Sequence, residues 1–307
     1  MRDRGAYARP SEMGTRVIVN PGAGAGRAAA RARAVAPRLR AAWPGLEWVE
    51  STSAEHVTEL AREARLAGYE RVIVAGGDGT VHLAVNGLVG GRTALGILPA
   101  GSGNDLFRAL GFPPDVEGTI DLLARGEPRQ IDVGLADGHA FCCVLGVGLD
   151  TPALEIVHRS RFKRGRGLYT YAAVRTLVTY RPRPMRIRYG DESFEGEVTF
   201  AAVSNTPTYA GGMKIAPRAS VTDGRLDLCV VPRLGRTRMV ASFGRMTRGN
   251  HGDMAGIVLT QSASFHLESD EPMPVTLDGE LTDLRTPLEA RTVPGGLTVI
   301  APPAPSG

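Results

Sequence analysis

Three short glycine-rich runs hold the residues best suited to chemistry: Asn20-Pro21-Gly22-Ala23-Gly24, Gly76-Gly77-Asp78-Gly79-Thr80 and Gly101-Ser102-Gly103-Asn104-Asp105. Glycine puts no Cβ between backbone N–H groups and an approaching phosphate oxygen, so such runs can cradle phosphate. A helix that begins just after the run turns its positive end toward the same anion. One glycine turn is commonplace; three of them, two carrying an aspartate, are hard to explain as turns alone. The plain alternative for Asp78 is an aspartate bonding its own backbone in a tight turn. The chain has no Gly-x-x-x-x-Gly-Lys-Ser/Thr run and no Gly-x-Gly-x-x-Gly after its first strand, which excludes two common nucleotide motifs.

Each run follows a short apolar, β-rich stretch. Arg16 to Val19 leads into the first, Arg71 to Ala75 into the second and Ala94 to Leu98 into the third. Leu46 to Val49 can form a further strand, and Ser53 is a plausible N-cap for a helix ended by Gly68. The Ala/Arg-rich stretch after Gly24 reads as a helix that Pro37 bends or interrupts. Strands alternating with helices predict a parallel α/β sheet, and its loops at the carboxyl strand ends gather on one edge.

After Ile131 the pattern changes to short β-rich runs, including Phe141 to Val147, Val198 to Ser204, Leu226 to Val231 and Val275 to Leu277, separated by Gly/Pro/Asp turns. The fold class predicted is an N-terminal parallel α/β domain plus a mostly antiparallel β-sandwich. The divisions are an N-terminal extension over 1–14, an α/β domain over 15–134, a β domain over 135–296, and a last strand and tail over 297–307 that could return to the first domain.

The chain has 307 residues, 43% of them hydrophobic, as expected for packed globular domains. No stretch reaches the roughly 18 apolar residues of a membrane span. The charged start, with Arg2, Asp3, Arg4 and Arg9, is not a signal peptide. Cys142, Cys143 and Cys229 lack metal-ligand spacing, Cys142 and Cys143 read as small apolar side chains, and a reduced, cytoplasmic protein is expected. Net charge is +4, almost all of the positive charge being arginine, with Lys163 and Lys214 the only lysines. Nucleic acid is a poor partner, since aromatics make up 6% and no recognition motif is present.

Taken together, the motifs resemble the diacylglycerol kinase catalytic-domain superfamily, which includes the bacterial diacylglycerol kinases and the sphingosine kinase-like lipid kinases. Val17 to Gly26 is similar to its Asn-Pro-x-Ser-Gly opening, with Ala23 in place of serine. Val72 to Leu88 is similar to its Gly-Gly-Asp-Gly-Thr block, and Leu95 to Gly111 to its Pro-x-Gly-Thr-x-Asn-Asp block, with Ser102 keeping the hydroxyl. Asn205, Gly211-Gly212, Ala216-Pro217, Asp223-Gly224 and Asp278-Gly279-Glu280 then follow in the family's order over roughly 15 to 301.

The resemblance implies an NAD kinase/diacylglycerol kinase-like fold with ATP and Mg²⁺ between two domains. Asn20, Pro21, Gly22, Ala23 and Gly24 would line the nucleotide together with Gly76, Gly77, Asp78, Gly79 and Thr80. Thr52, Gly101, Ser102, Asn104 and Asp105 complete that set. Asp78 would act through Mg²⁺ or its waters. Asp278 and Glu280 would take the proton of a lipid hydroxyl, with Glu280 favoured as base; the plain alternative is a hairpin turn at Asp278-Gly279. Asp223, with backbone atoms of Ser220 and Arg225, matches a structural Mg²⁺ site.

Two positions depart from the family: His82 and Leu83 stand where Asn-Glu is usual, which keeps open a catalytically silent nucleotide sensor. An NAD kinase-like enzyme with a soluble substrate is the other rival. The basic stretch from Arg159 to Arg188 offers arginines and tyrosines to an anionic membrane, or a solvated positive face. The expected partner is a lipid substrate at the membrane surface, with peripheral association; a homodimer is compatible with the sequence.

Overall fold

The computed structural model describes residues 14–101, 103–113, 115–160 and 166–303. The N-terminal extension, Ser102, the basic residues Arg161, Lys163 and Arg164, and the last four residues lie outside the described residues. The chain divides into two compact units, one of residues 1–101, 110–130 and 296–307 and one of 102–109 and 131–295.

The first unit is built on four parallel strands, β1 (Thr15–Val19), β2 (Glu47–Glu50), β3 (Arg71–Gly76) and β4 (Ala94–Pro99), in the order β4-β3-β1-β2. Every residue of β1, and Val72 to Gly76 of β3, is buried, as a parallel sheet covered on both faces requires. The covering helices are α1 (Arg27–Ala42), α2 (Ala54–Ala67), α3 (Asp78–Leu88) and α5 (Val116–Arg125).

Two of these helices are capped by side chains: Ser53 Oγ accepts the His56 N–H before α2, and Asp115 Oδ1 accepts the Gly118 N–H before α5. Gly68 ends α2 in the left-handed conformation, at φ 82°. The last strand, β15 (Leu288–Ile300), brings Val299 parallel to Leu95 of β4.

Pro37 does not interrupt α1, which runs unbroken for 16 residues. Its inner face of Ala28, Ala29, Ala32, Val35, Ala36 and Leu39 is buried, and that packing holds the helix across the missing N–H. Arg38 adds ion pairs from the same turn to Glu117 and Asp121 of α5.

The second unit is antiparallel. Its strands are β5 (Pro128–Ala136), β6 (His139–Phe141), β7 (Val144–Gly148), β8 (Arg183–Tyr189), β9 (Glu192–Ser204), β10 (Leu226–Pro232), β11 (Val258–Ser262), β12 (Ser264–Ser269), β13 (Pro274–Leu277) and β14 (Glu280–Arg285). They pair in the order β14-β13-β7-β9-β8-β12-β15, with β10 on β9 and β11 on β10. One core gathers Phe141, Leu145, Ile187, Val203, Phe265 and Leu277; a second gathers Val144, Phe200, Tyr209, Cys229 and Met246.

Helices α4 (Asp105–Ala109), α6 (Asp150–Arg159), α7 (Arg166–Thr179) and α8 (Arg236–Met246) belong to this unit. The run expected as one strand over Phe141 to Val147 is broken at Cys142-Cys143, because those two residues turn their N–H groups to a side chain. The segment 102–109 groups with the second unit, and the junctions fall at 130/131 and 295/296, where the sequence placed them at 134/135 and 296/297.

Candidate functional site

On the first unit the carboxyl ends of β1, β3 and β4 place Asn20 to Gly24, Gly76 to Thr80 and Gly101 side by side. The Asn20 N–H donates to Ala75 O at 3.3 Å, and the Ala100 N–H to Gly76 O at 2.8 Å. Asn20 Nδ2 donates to Thr80 Oγ1 at 3.2 Å, so the first and second runs are joined by side chains. Asn20 Oδ1 accepts the Gly22 N–H at 3.1 Å, which shapes the first turn.

The glycines are there because the loops are close. A Cβ on Gly76 would stand 2.3 Å from Thr80 Cβ, and one on Gly77 would stand 3.2 Å from Gly101 Cα. Gly24, at φ +61°, would place one 2.9 Å from Ala100 O.

Helix α3 starts at Asp78, with Gly77 as its N-cap and no side-chain cap. It thus has no side-chain cap of the kind that Ser53 and Asp115 give α2 and α5. A helix start without a side-chain cap, beside glycine turns, leaves backbone N–H groups that can receive an anion. Thr52 lies at the end of β2, on the same sheet edge, and its N–H and Oγ1 lie 3.1 and 2.9 Å from His56 Nδ1. Nothing in the local pattern around His56 marks it for this contact.

His82 sits in α3 with its Nε2 3.5 Å from Asn86 Nδ2, and Leu83 O accepts Thr58 Oγ1 at 2.9 Å. Leu83 O thus ties α3 to Thr58 of α2, and His82 lies beside Asn86 one turn along its own helix. The third run divides between the units. Gly101 belongs to the first, whereas Asn104, at φ 52°, and Asp105 belong to the second. There the buried Asp105 carboxylate accepts the Gly211 N–H with both oxygens, each at 3.1 Å.

On the second unit, Leu277 pairs with Glu280 across a two-residue turn of Asp278 (φ 51°) and Gly279 (φ 80°). Positive φ at both positions defines a type I′ hairpin, for which Asp-Gly is the favoured pair. Asp278 does more than turn the chain. Its Oδ1 accepts the N–H groups of Cys143 (2.7 Å) and Val144 (3.0 Å), and its Oδ2 accepts that of Cys142 (3.0 Å). The Asp278 N–H donates to Val144 O at 2.8 Å.

These bonds cause the break between β6 and β7, and they fix the start of β14, where Glu280 stands half-buried. Asp278 is a clamp for the turn, and Glu280 is the carboxylate the turn presents. The buried Cys142 thiol is pushed well above its ordinary pKa by burial and then by the Asp278 charge, which disfavours the reactive thiolate.

The Asp223 turn is exposed. Asp223 Oδ1 accepts the Arg225 N–H at 3.0 Å, and Ser220 Oγ accepts the Thr222 N–H at 3.4 Å. Asp132, which the sequence reading passed over, anchors this turn: its oxygens accept the Gly224 and Gly295 N–H groups at 2.7 and 2.8 Å. The described residues contain no cluster of three or more His, Cys, Asp or Glu able to enclose a metal. The remaining donors, one exposed carboxylate oxygen and turn carbonyls, suit a hydrated Mg²⁺ held through its waters rather than an enclosed ion.

Another buried carboxylate, Asp150, opens α6. Burial raises its pKa to about 7, against the opposing hydrogen bond that Tyr209 Oη donates to Oδ2 at 2.6 Å. It lies beside Gly146, where a Cβ would be 2.4 Å from Oδ2, and Gly146 pairs with Thr276 just before the Asp278 turn. Of the basic stretch 159–188, the three arginines of β8 are ion-paired: Arg183 with Glu271, Arg186 with Glu195 at 3.1 Å, and Arg188 with Glu268 at 2.7 Å.

Comparison with known proteins agrees with this layout. Residues 15–136 match the diacylglycerol kinase catalytic domain, and residues 143–301 match the YegS C-terminal NAD kinase beta sandwich-like domain. A diacylglycerol kinase of Bacillus subtilis is 32% identical over 75% of this chain and 77% of its own. One of Mycobacterium tuberculosis H37Rv is 30% identical over 93% and 94%. A solved diacylglycerol kinase chain of Bacillus anthracis superimposes with a TM-score of 0.75 at 27% identity, covering 95% of this chain and 98% of that one. No described helix is long and apolar enough to cross a membrane. The chain belongs to the diacylglycerol kinase family of lipid kinases, with a catalytic domain followed by a YegS-type β-sandwich domain.

Proposed function

We propose that this chain transfers the γ-phosphate of ATP to a hydroxyl of diacylglycerol or a related membrane lipid. The observation that carries this reading is the uncapped start of α3 among three glycine turns, braced by the bond from Asn20 to Thr80. Backbone N–H groups of Gly77, Asp78, Gly79 and Thr80 receive the phosphates, with Gly22, Gly24 and Gly101 close enough in the fold to border them. Asp78 would hold the Mg²⁺ that accompanies the nucleotide, or its waters, and that ion would offset charge on the phosphate oxygens.

The acceptor hydroxyl gives its proton to Glu280, which is carried on the rigid I′ turn that Asp278 clamps. Asp78 therefore serves the phosphates, Glu280 the proton, and Asp278 the position of Glu280. The turn of Ser220, Asp223 and Arg225 is assigned a hydrated Mg²⁺ with a structural role. With the arginines of β8 paired, any contact of the 159–188 segment with an anionic membrane falls to its remaining basic residues, which include Arg161, Lys163, Arg164 and Arg175.

The test is a substrate panel in mixed micelles: diacylglycerol, a sphingoid base and phosphatidylglycerol, with NAD as a soluble acceptor. Phosphorylated lipid is expected. Phosphorylated NAD would favour the soluble-substrate rival, and ATP binding with no product would favour a silent sensor.

A further inference from the structure

Helix α8 connects the neighbouring strands β10 and β11, and it carries two of the exposed large hydrophobic residues, Val240 and Phe243. Its inner face is ordinary: Met246 is buried and Met239 partly buried against the core of Val144, Phe200, Tyr209 and Cys229. Its outer face should then be polar, yet helical spacing puts Thr237, Val240, Ala241 and Gly244 there, all exposed. Val240 is 65% exposed, and Phe243 at the edge is 36% exposed. Neither the valine nor the phenylalanine is favoured by helix propensity, and the exposed parts of both bury nothing within the chain.

The charge around this face has one sign. Between Leu228 and Gly252 the sequence has Arg233, Arg236, Arg238, Arg245 and Arg248 and no aspartate or glutamate. That stretch alone carries more positive charge than the whole chain's net +4. Arg233 bonds Glu197, and Arg238 donates to Ala255 O at 2.7 Å. Arg245 and Arg248 form no ion pair among the described residues, in contrast to the matched arginines of β8. An uncharged strip with valine and phenylalanine, bordered by arginines, is the pattern of a helix lying in a lipid headgroup layer.

The helix is also tied to the loop that Asp105 grips. The Lys214 N–H donates to Met246 O at 3.0 Å, and Tyr209, Ile215 and Ala216 share its core.

We infer that α8 is a membrane-docking helix, with Val240 and Phe243 entering the headgroup layer of an anionic bilayer and Arg245 and Arg248 meeting its phosphates. The inference concerns the surface that brings the enzyme to its substrate, and it rests on the lipid-substrate reading above.

The experiment measures binding of the full chain to vesicles of phosphatidylcholine with phosphatidylglycerol, and of phosphatidylcholine alone, without ATP. Two variants are compared with wild type, Val240→Ser/Phe243→Ser and Arg245→Gln/Arg248→Gln, all at exposed or half-exposed positions and checked for an unchanged melting temperature. Each is expected to bind anionic vesicles about tenfold more weakly. On detergent-dispersed lipid each is expected to turn over like wild type.

Wild-type affinity in both variants would overturn the inference. So would a wild type that sediments as a dimer while the apolar variant is a monomer, which would make the face a contact between copies. Vesicle binding that needs α8, without any lipid product, would leave the docking surface standing and remove the kinase reading instead.

Discussion

Asn20 Nδ2 donates to Thr80 Oγ1 across 60 residues of sequence, and this bond joins the turn after β1 to the first turn of α3. It fixes Thr80, whose N–H belongs to the uncapped helix start. Asn20→Ala should leave the chain folded, with a loss of about 1 kcal/mol, and raise the KM for ATP several-fold with a smaller change in kcat. Steady-state kinetics at saturating lipid would check this. An unchanged KM would mean that the brace does not shape the phosphate site.

Gly76 has no room for a methyl group. Gly76→Ala would push its Cβ to within 2.3 to 2.6 Å of three side-chain atoms of Thr80. The expected cost is about 1 to 3 kcal/mol, seen as a lower denaturant midpoint together with weaker ATP binding. Adding Thr80→Gly should recover only part of the midpoint and none of the binding, since it removes the clash but also the Asn20 partner and puts a second glycine in the first turn of α3.

The carboxylates of Asp278 and Glu280 separate in a stability measurement. In Asp278→Asn, three N–H groups would face an amide with one acceptor oxygen, costing about 3 kcal/mol, and activity would fall with the structure. Glu280→Gln should melt like wild type while turnover drops about 10² to 10⁴-fold. If Glu280→Gln turned over normally, the base would lie elsewhere.

Asp150 gives the protein a pH-dependent stability. Burial raises its folded pKa to about 7 from the ordinary 3.8, so the folded state holds its proton where the unfolded chain has lost it. This contribution to stability is fully present below pH 3.8 and is lost progressively as pH rises to about 7, then stays level. Asp150→Asn keeps a partner for the Tyr209 hydroxyl but cannot ionise. Its midpoint should change less between pH 5 and pH 8 than that of wild type, by roughly a few kcal/mol. Equal pH dependence in the two proteins would remove Asp150 from this role.

Much of the fold could be read along the chain because its signals are local. Glycine runs after apolar strands, Ser53 and Gly68 at the ends of α2, and Asp278-Gly279 at a hairpin each depend on the backbone within a few residues. The groups that hold the site in shape had no such mark. Asp278 clamps Cys142 to Val144 from more than 130 residues away, and Tyr209 meets Asp150 from 59.

Asp132 grips glycines 92 and 163 positions downstream. Such partners become neighbours only once the sandwich has formed, and a lone aspartate in sequence resembles any turn residue. Pro37 shows the opposite error: a strong local rule yielded to the packing of the alanine face of α1.

The most direct test follows the γ-phosphate of labelled ATP into lipid, using wild type and Asp78→Asn on the same lipid panel. Label should appear in a phosphorylated lipid with wild type and fall about a hundredfold or more with Asp78→Asn, whose melting temperature should be retained. Label transfer that is indifferent to Asp78→Asn, or absent from every lipid while ATP still binds, would contradict it.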